Sequence, residues 1–281
     1  MKLAVIDVGS NSVRLLISED GLTVTKKVKI TKLASGVISG MLNNEAVERT
    51  VRAVSFFVSE ARELGVLDIY VFATAAVRMA KNAKFFTDRV FEECGIVVDV
   101  ISGEKESILG CLGALNGKEG GVIDIGGASS EIAVMKKGKI VYSKSIDMGA
   151  VTLTDRFGQD AKRVREYVKK RVVEYGLVDC NCFFGIGGTA TTVASVLNQL
   201  VVYDPKITHG FRFSKEQLQN LVELLYSMTV DERKKLVGLQ PERAEVIASG
   251  LSIMLEIMNY LRIDFITVSE SDNLEGYLLS K

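Results

Sequence analysis

The sequence predicts an α/β fold built from two copies of one structural plan, with the functional site in the cleft between them. The first observation is a repeat, because residues 5–12 read VIDVGSNS and residues 122–129 read VIDIGGAS. The second is that each copy follows an apolar strand and leads into another, VRLLIS in the first half and SEIAVM in the second. The third is the alternation of strands and helices after each copy, which is typical of an α/β layer with a partly parallel sheet.

The first half opens with three strands and continues with alternating helices and strands. The segments KLAVIDV, VRLLIS and LTVTKKVKI show strand periodicity and follow one another through short turns, which predicts an antiparallel opening. A helix follows, because apolar residues recur at helical spacing from a cap at Asn43 or Asn44 to Gly65. Further elements are predicted at residues 69–73 (strand), 80–94 (helix), 96–101 (strand) and 102–115 (helix).

The richest turn signal in the chain, NGKEGG at residues 116–121, stands just before the second copy of the repeat. We therefore place a domain boundary there, with residues 1–118 in the first domain and 119–281 in the second. The second half repeats the plan, with strands predicted at residues 121–125, 130–135, 139–146, 182–186 and 265–269. Its helices are predicted at residues 151–157, 161–175, 190–197, 215–227, 231–237, 241–261 and 273–279. Packing of the last helix against the first domain is left open.

Length and composition limit the class of protein. A chain of 281 residues is long enough for two domains, and 47% hydrophobic with 25% charged residues describes a folded chain. Lys plus Arg equals Asp plus Glu, at 35 each, which argues against general binding to nucleic acid or to a membrane surface. No apolar run approaches the ~20 residues of a membrane span. We therefore expect a cytoplasmic protein with no nucleic-acid or membrane partner, and leave a homodimer open.

The cysteines and the histidine do not suggest a metal site. Cys94, Cys111, Cys180 and Cys182 lack metal-type spacing, so we expect ordinary buried thiols in a reducing compartment. The single histidine, His209, excludes a histidine-rich metal site.

Each copy of the repeat brings one aspartate to a turn with little side-chain bulk. The residues concerned are Asp7, Gly9, Ser10 and Asn11 in the first copy, and Asp124, Gly126 and Gly127 in the second. Such a turn lets backbone N–H groups approach an anion closely, while the aspartate can hold a cation or a water. One such turn is more often a plain hairpin, but duplication at domain scale favours a phosphate site between two facing copies.

Two further segments have a functional and a structural interpretation. Gly187, Gly188 and Thr189 lie between a strand and a helix, where free N–H groups attract phosphate, although packing alone also produces such junctions. Arg78 follows a strand end and opens a helix, so its guanidinium either takes a terminal phosphate in the cleft or lies at the surface.

Charged residues on two predicted helices are equally ambiguous. Glu104 and Glu106 lie in a first helical turn, where the helix dipole favours acidic residues in any case. A basic run lies on the helix at residues 161–175 and comprises Lys162, Arg163, Arg165, Lys169, Lys170 and Arg171. Most such runs are solvated faces, and the alternative is that this one guides a polyanion to the cleft.

Six ordered segments resemble the motifs of the exopolyphosphatase and guanosine pentaphosphate phosphatase family, within the actin, sugar-kinase and Hsp70 superfamily. They are DVGSNSVRL, ATAAVRMAKN, ISGEKESILG, DIGGASSEI, MGAVTLTDRF and GIGGTATTVA. The resemblance runs from end to end of the chain. It implies two duplicated actin-like domains, of ribonuclease H-like fold, with an active-site cleft between them.

The resemblance also implies roles for individual residues. Glu106 falls on the catalytic glutamate that activates water, while Asp124 and Glu131 fall on the acidic pair that organises Mg²⁺ and the attacking water. The phosphate clamp falls on Arg78 and on backbone groups around Ser10, Asn11, Gly126 and Gly127. The implied reaction is hydrolysis of the terminal phosphate of inorganic polyphosphate, with guanosine pentaphosphate as the alternative substrate and Mg²⁺ as cofactor.

The chain departs from the family pattern in three places and in length. Lys105 replaces the first of two adjacent glutamates, and Ala128 and Ser130 replace a glycine and a threonine of the second turn. Longer members carry additional C-terminal helical domains, so processive binding of long polyphosphate is in doubt. Two other classes stay open, an ATP-binding kinase or ATPase of the same superfamily and a non-catalytic alarmone sensor. Because Glu131 takes the place that Arg14 has in the first copy, we expect the second copy to hold the metal.

Overall fold

In the residues that the computed structural model describes, 2–37 and 40–281, the framework is a five-stranded and a six-stranded β-sheet. The strands are β1 (Lys2–Val8), β2 (Ser12–Glu19), β3 (Leu22–Ile30), β4 (Asp68–Ala73), β5 (Val98–Val100), β6 (Gly120–Ile125), β7 (Ser130–Lys136), β8 (Lys139–Ile146), β9 (Phe183–Ile186), β10 (Arg212–Ser214) and β11 (Phe265–Val268). The helices are α1 (Asn44–Glu63), α2 (Ala75–Arg78), α3 (Ala83–Cys94), α4 (Gly103–Leu115), α5 (Ala150–Phe157), α6 (Ala161–Arg171), α7 (Gly187–Leu197), α8 (Pro205–Thr208), α9 (Lys215–Ser227), α10 (Val230–Arg233), α11 (Ile247–Leu261) and α12 (Asn273–Leu279).

The two sheets share one strand order. The first sheet runs β3-β2-β1-β4-β5, and the second runs β8-β7-β6-β9-β11 with β10 added at its edge. In the first, β1 pairs antiparallel with β2 and parallel with β4. In the second, β6 pairs antiparallel with β7 and parallel with β9. The predicted duplicated α/β fold is therefore confirmed, whereas the domain boundary at residues 118 and 119 stays a prediction.

Helices α4 and α12 connect the two sheets. Cys111 and Leu115 of α4 are buried with residues of β6, β7 and β9. Leu109 of α4 packs instead with Leu274 and Tyr277 of α12 and with residues of β1, β2 and β4. The closing helix thus packs against the first sheet, and α4 lies between it and the second sheet. This arrangement carries the end of the chain back to the repeated turns.

Some predicted boundaries differ from the structure. The helix predicted at residues 80–94 begins at Ala83, after the short helix α2. Asn82 accounts for the late start, because its side-chain amide accepts from the N–H of Leu42 at 2.8 Å and donates to the carbonyl of Leu42 at 3.0 Å. This pair of bonds ties the segment before the helix to the loop before α1.

In the second half, the helix predicted at residues 190–197 begins at Gly187, so β9 leads directly into a helical turn rather than into a loop. The predicted helices at 161–175 and 241–261 are each shortened, since residues 172–175 and 241–243 form 3₁₀ turns. The predicted strand at 96–101 and helix at 231–237 are also shorter in the structure. The short elements α8 and β10 have no counterpart in the sequence prediction.

All four cysteines are free thiols, but only Cys94 and Cys111 are buried. The expectation of burial is wrong for Cys182, which is exposed because it precedes β9 in an open turn. In the described part of the chain, no helix combines the length and the apolar character that crossing a membrane requires. The cytoplasmic location stays a prediction.

The cap of α1 gives a first testable prediction. The side-chain oxygen of Asn43 accepts from the N–H groups of Glu45 at 2.8 Å and of Ala46 at 3.3 Å. Asn43→Ala should lower the free energy of unfolding by ~1 kcal/mol, because two helix donors lose their acceptor. Urea denaturation measures the change. Asn44→Ala, on the exposed next residue, is the matched control, and an equal loss in both variants would contradict the capping role.

Candidate active site

The two copies of the repeat have the same backbone geometry. The N–H of Gly9 donates to the carbonyl of Ser12 at 2.9 Å, and the N–H of Gly126 donates to that of Ser129 at 3.0 Å. The strands around each turn also pair in the same register. Asp7 lies opposite Arg14 in the first copy, and Asp124 lies opposite Glu131 in the second. The same turn therefore follows a strand pair that places an acid opposite a base in the first sheet and an acid opposite an acid in the second.

The two turns face each other across a cavity of about 90 Å³. They approach closely, since a Cβ on Gly127 would lie 2.8 Å from the Cβ of Ser10. The cavity is several times the ~10–15 Å³ that one water requires. Most predicted site residues line it, namely Asp7, Gly9, Ser10, Asn11, Glu106, Asp124, Gly126, Gly127, Gly187, Gly188 and Thr189. The structure thus brings four separate segments of the sequence to one small chamber.

Free backbone donors surround this chamber. Within the described residues, the N–H groups of Ser10, Asn11 and Gly127, which line the chamber, donate no hydrogen bond to the protein. The first turn of α7 adds the unsatisfied donors of a helix N-terminus. Its first residue, Gly187, has a φ of +71° and lies so close to Asp124 that a Cβ would be 2.7 Å from a carboxylate oxygen. Such a set of donors is suited to the oxygens of a phosphate group.

Glu106 reaches the chamber from the first turn of α4. Ser102 caps this helix by accepting from the N–H of Lys105 at 3.1 Å, and the Glu106 side chain is buried. Arg78 donates from Nη1 to Oε2 of Glu106 at 3.0 Å and to the carbonyl of Ile101 at 3.0 Å. Burial raises the pKa of Glu106 to about 7, although Arg78 opposes the rise. A carboxyl with a pKa near neutrality is suited to accept a proton at working pH.

Arg78 and Glu131 stand behind the chamber rather than in its lining. The family resemblance implies a phosphate-binding role for Arg78, which stays a prediction, and in the structure its guanidinium pairs with Glu106. Its Nη2 is buried and has no hydrogen-bond partner among the described residues. Glu131 accepts from the hydroxyl of Ser145 at 2.7 Å through Oε1, and Glu106 and Asp124 are its charged neighbours.

The acids on the second-sheet side are crowded. Burial raises the pKa of Asp124 to about 7, and the charges of Glu106 and Asp272 add to the rise while Arg14 opposes it. Burial also raises the pKa of Glu131 well above its usual range, with further repulsion from Glu106 and Asp124. The three carboxyls cannot all be ionised together at low cost unless a cation enters.

The donor set fits a magnesium ion. Oδ1 of Asp7 and Oε2 of Glu131 are buried and accept no hydrogen bond from the described residues. Among residues 2–37 and 40–281, no cluster of three or more potential ligands is close enough to enclose a metal with protein atoms alone. Mg²⁺ commonly takes one or two carboxylates and completes its shell with waters and phosphate oxygens. Asp124, with Glu131 and Asp7 nearby, can supply these one or two carboxylates.

The acid of the first copy is neutralised inside the protein. Arg14 donates from Nε to Asp7 at 3.0 Å, and its Nη1 forms an ion pair with Asp272, which precedes α12. Asp272 also lies 3.4 Å from Nζ of Lys26. Nothing local in the sequence marks Asp272 as a site residue, because the fold alone brings the end of the chain to this turn.

A second missed residue, Arg243, lies between this chamber and a larger cavity. Its guanidinium lies against the backbone of Gly188, where a Cβ would be 1.9 Å from Nη1. Nε donates to the side chain of Gln240 at 2.9 Å, and within the described residues no carboxylate pairs with Arg243. The larger cavity has a volume of about 490 Å³ and shares Arg14, Gly187, Gly188 and Arg243 with the chamber. Arg243 is therefore placed to meet an anion that extends from one space to the other.

Comparison with known proteins assigns the family. A model of the Ppx/GppA phosphatase family matches residues 17–281. Exopolyphosphatase 2 of Mycobacterium tuberculosis is 30% identical, with 99% of this chain and 98% of that protein covered. The bifunctional 3-dehydroquinate synthase/phosphatase of Fusobacterium nucleatum is also 30% identical, with 98% of this chain covered. This chain spans about half of that protein's length, 46%.

A solved structure gives the same result. The crystal structure of the Aquifex aeolicus member of the Ppx/GppA family has a TM-score of 0.83 and 31% identity to this chain, covering 100% of this chain and 97% of the other. The resemblance carried by the six motifs is thereby confirmed, and so is the enzyme class, a phosphoanhydride hydrolase. The chain belongs to the Ppx/GppA phosphatase family.

Proposed function

We propose that this protein removes the terminal phosphate from inorganic polyphosphate by attack of a water molecule that Glu106 activates. The observation that carries the proposal is the buried carboxyl of Glu106, with a pKa of about 7, at the wall of a chamber between the two repeated turns. A general base must lie within reach of the attacking water and have a pKa near the working pH. Asp124 lines the same chamber and completes the arrangement.

The turns hold the phosphate that is transferred. The free N–H groups of Ser10, Asn11 and Gly127 bind its oxygens, and the first turn of α7 binds the neighbouring phosphate. Phosphoryl transfer needs mainly positioning and electrostatic stabilisation, which fixed backbone donors supply. Arg78 orients the base through its hydrogen bond to Glu106.

Magnesium is the cofactor of this proposal, held by Asp124 with Glu131 behind it. When bound, the ion neutralises negative charge on the phosphate oxygens and favours the ionised state of the surrounding carboxyls. The crowding of the acids and the free oxygens of Asp7 and Glu131 support this role. Glu106 then keeps the task of taking the proton from water.

Guanosine pentaphosphate is the second candidate substrate, and the cavity of about 490 Å³ beside the chamber favours it. Hydroxyl groups, acids and cations share its lining, including Thr191, Tyr203, Glu270 and Lys26. A linear polyanion prefers a lining rich in cations, whereas a nucleoside uses hydrogen-bond donors and acceptors of both kinds.

One assay separates the candidates. Phosphate release is measured from long polyphosphate, tripolyphosphate, guanosine pentaphosphate and ATP, each with Mg²⁺ and with chelator. We expect release from at least one of the first three substrates and loss of activity with chelator. Hydrolysis of ATP alone indicates an ATPase, and binding without release from any substrate indicates a sensor. Either result would refute the proposed function.

Arg243 gives the second testable prediction. Its guanidinium lacks a carboxylate partner among the described residues and lies where a bound chain of phosphates passes. Arg243→Gln should raise KM by about 10- to 100-fold with a smaller change in kcat, since a hydrogen bond to a charged group contributes ~1.5–3 kcal/mol. Steady-state kinetics tests this. Arg52→Gln, on the exposed face of α1, is the matched control and should leave KM unchanged.

A further inference from the structure

The first turn of the closing helix reaches the active site. Asp272 caps α12 by accepting from the N–H of Leu274 at 3.0 Å, and Glu275 accepts from the N–H of Asp272 at 2.8 Å. These reciprocal bonds fix the start of the helix. The next residue, Asn273, is 2% exposed and lines the chamber. Its Nδ2 donates to Oδ2 of Asp124 at 3.2 Å.

The position of α12 is set by close packing on two sides. The ring of Tyr277 stacks on Phe72 of the first sheet with centroids 4.7 Å apart and planes 11° apart. On the other side, a Cβ on Gly276 would lie 1.9 Å from the carbonyl oxygen of Leu109 in α4. The helix therefore cannot shift without moving α4, which carries Glu106, or the first sheet, which carries Asp7.

The carboxylate of Asp124 is held from two sides. Oδ2 receives the amide of Asn273, and Oδ1 lies against the backbone of Gly187. The other amide atom of Asn273, Oδ1, is buried and has no hydrogen-bond partner in the described part of the chain. This oxygen lies close to Gly110 of α4, since a Cβ there would be 2.7 Å from it. Asn273 therefore presents its donor to Asp124 and its free oxygen to α4.

We propose that Asn273 is a positioning residue that fixes the carboxylate of Asp124 in the orientation that binds Mg²⁺. The inference rests on the proposed function for the role of Asp124, and extends it by making the end of the chain part of the metal site. Partners that orient a metal ligand contribute about 10- to 100-fold to metal affinity or activity.

The test is a titration of the 281-residue protein with Mg²⁺ alone by isothermal titration calorimetry. Asn273→Leu has similar size and no donor, and Asn273→Ala avoids apolar bulk in the chamber. Both should raise the Kd for Mg²⁺ by about 10- to 100-fold and lower kcat by a similar factor without raising KM. Asn273→Ser, which restores one donor on a shorter side chain, should fall between Ala and wild type. Asn220→Leu, on the exposed face of α9, is the matched control.

Failure of this inference and failure of the proposed function give different results, because the Mg²⁺ titration contains no substrate. A wild type that binds Mg²⁺ but hydrolyses none of the four substrates refutes the proposed function, and the Mg²⁺ affinities alone then decide the role of Asn273. Equal affinities in wild type and variants overturn the inference, as does a wild type that binds no Mg²⁺. A lower melting temperature with unchanged affinity and kcat assigns Asn273 a structural role and also overturns it.

Discussion

Glu106→Gln should lower kcat by about 10²- to 10⁴-fold, which is the range that a positioned general base contributes. The amide has nearly the same shape as the carboxyl, so it occupies the same buried place at the start of α4 but cannot take a proton from water. Substrate binding should persist, because the substitution leaves unchanged the free N–H groups of Ser10 and Gly127, which we propose to bind phosphate. We expect phosphate release to be slowed by this factor, while the Kd for tripolyphosphate stays at the wild-type value.

The neighbouring acid gives the control. Glu104 lies in the same helical turn but is exposed, so Glu104→Gln makes the same chemical change outside the chamber. We expect it to retain wild-type kcat. Full activity in Glu106→Gln refutes the assignment of the base. A comparable loss in both variants shows that the helix start responds to charge in general, and the specific role of Glu106 fails.

The repeated turns could be predicted because their structure is encoded locally. An aspartate at a strand end followed by Gly and small polar residues forms the same turn in both copies, down to the hydrogen bonds of Gly9 and Gly126. The acid at the start of α4 could be predicted from its motif. Its burial could not, because Arg78 and strand β7 of the second sheet pack against that end of α4 only in the folded chain.

The residues that the sequence left unmarked share one property. Arg243, Asp272 and Asn273 lie far along the chain from the repeated turns, in segments without a glycine-rich turn or a motif that marks a site. Tertiary packing alone brings them to the chamber. Arg78 is the opposite case, since its position next to the site was predicted, while its direction depends on the four-residue helix α2 that turns it toward Glu106.

Asp124→Asn should weaken Mg²⁺ binding and lower turnover, but it should not lower the melting temperature in chelator. The change keeps the size of the side chain and removes one charge from the acids around the chamber. We expect Mg²⁺ affinity to fall and kcat to drop by at least ~100-fold, the scale of losing one preorganised electrostatic group. In chelator, the melting temperature should be no lower than that of wild type, because repulsion from Glu106 and Glu131 is relieved.

The contrast between stability and activity makes this prediction specific. Wild type should gain melting temperature when Mg²⁺ is added, since a ligand that binds only the folded state stabilises it, and Asp124→Asn should gain little. Asp264→Asn, on an exposed residue before β11, is the matched control and should behave as wild type in both scans. An Asp124→Asn protein that loses stability in chelator yet keeps its response to Mg²⁺ would show that Asp124 holds the fold rather than the metal. The magnesium site would then have to be sought at Asp7 and Glu131.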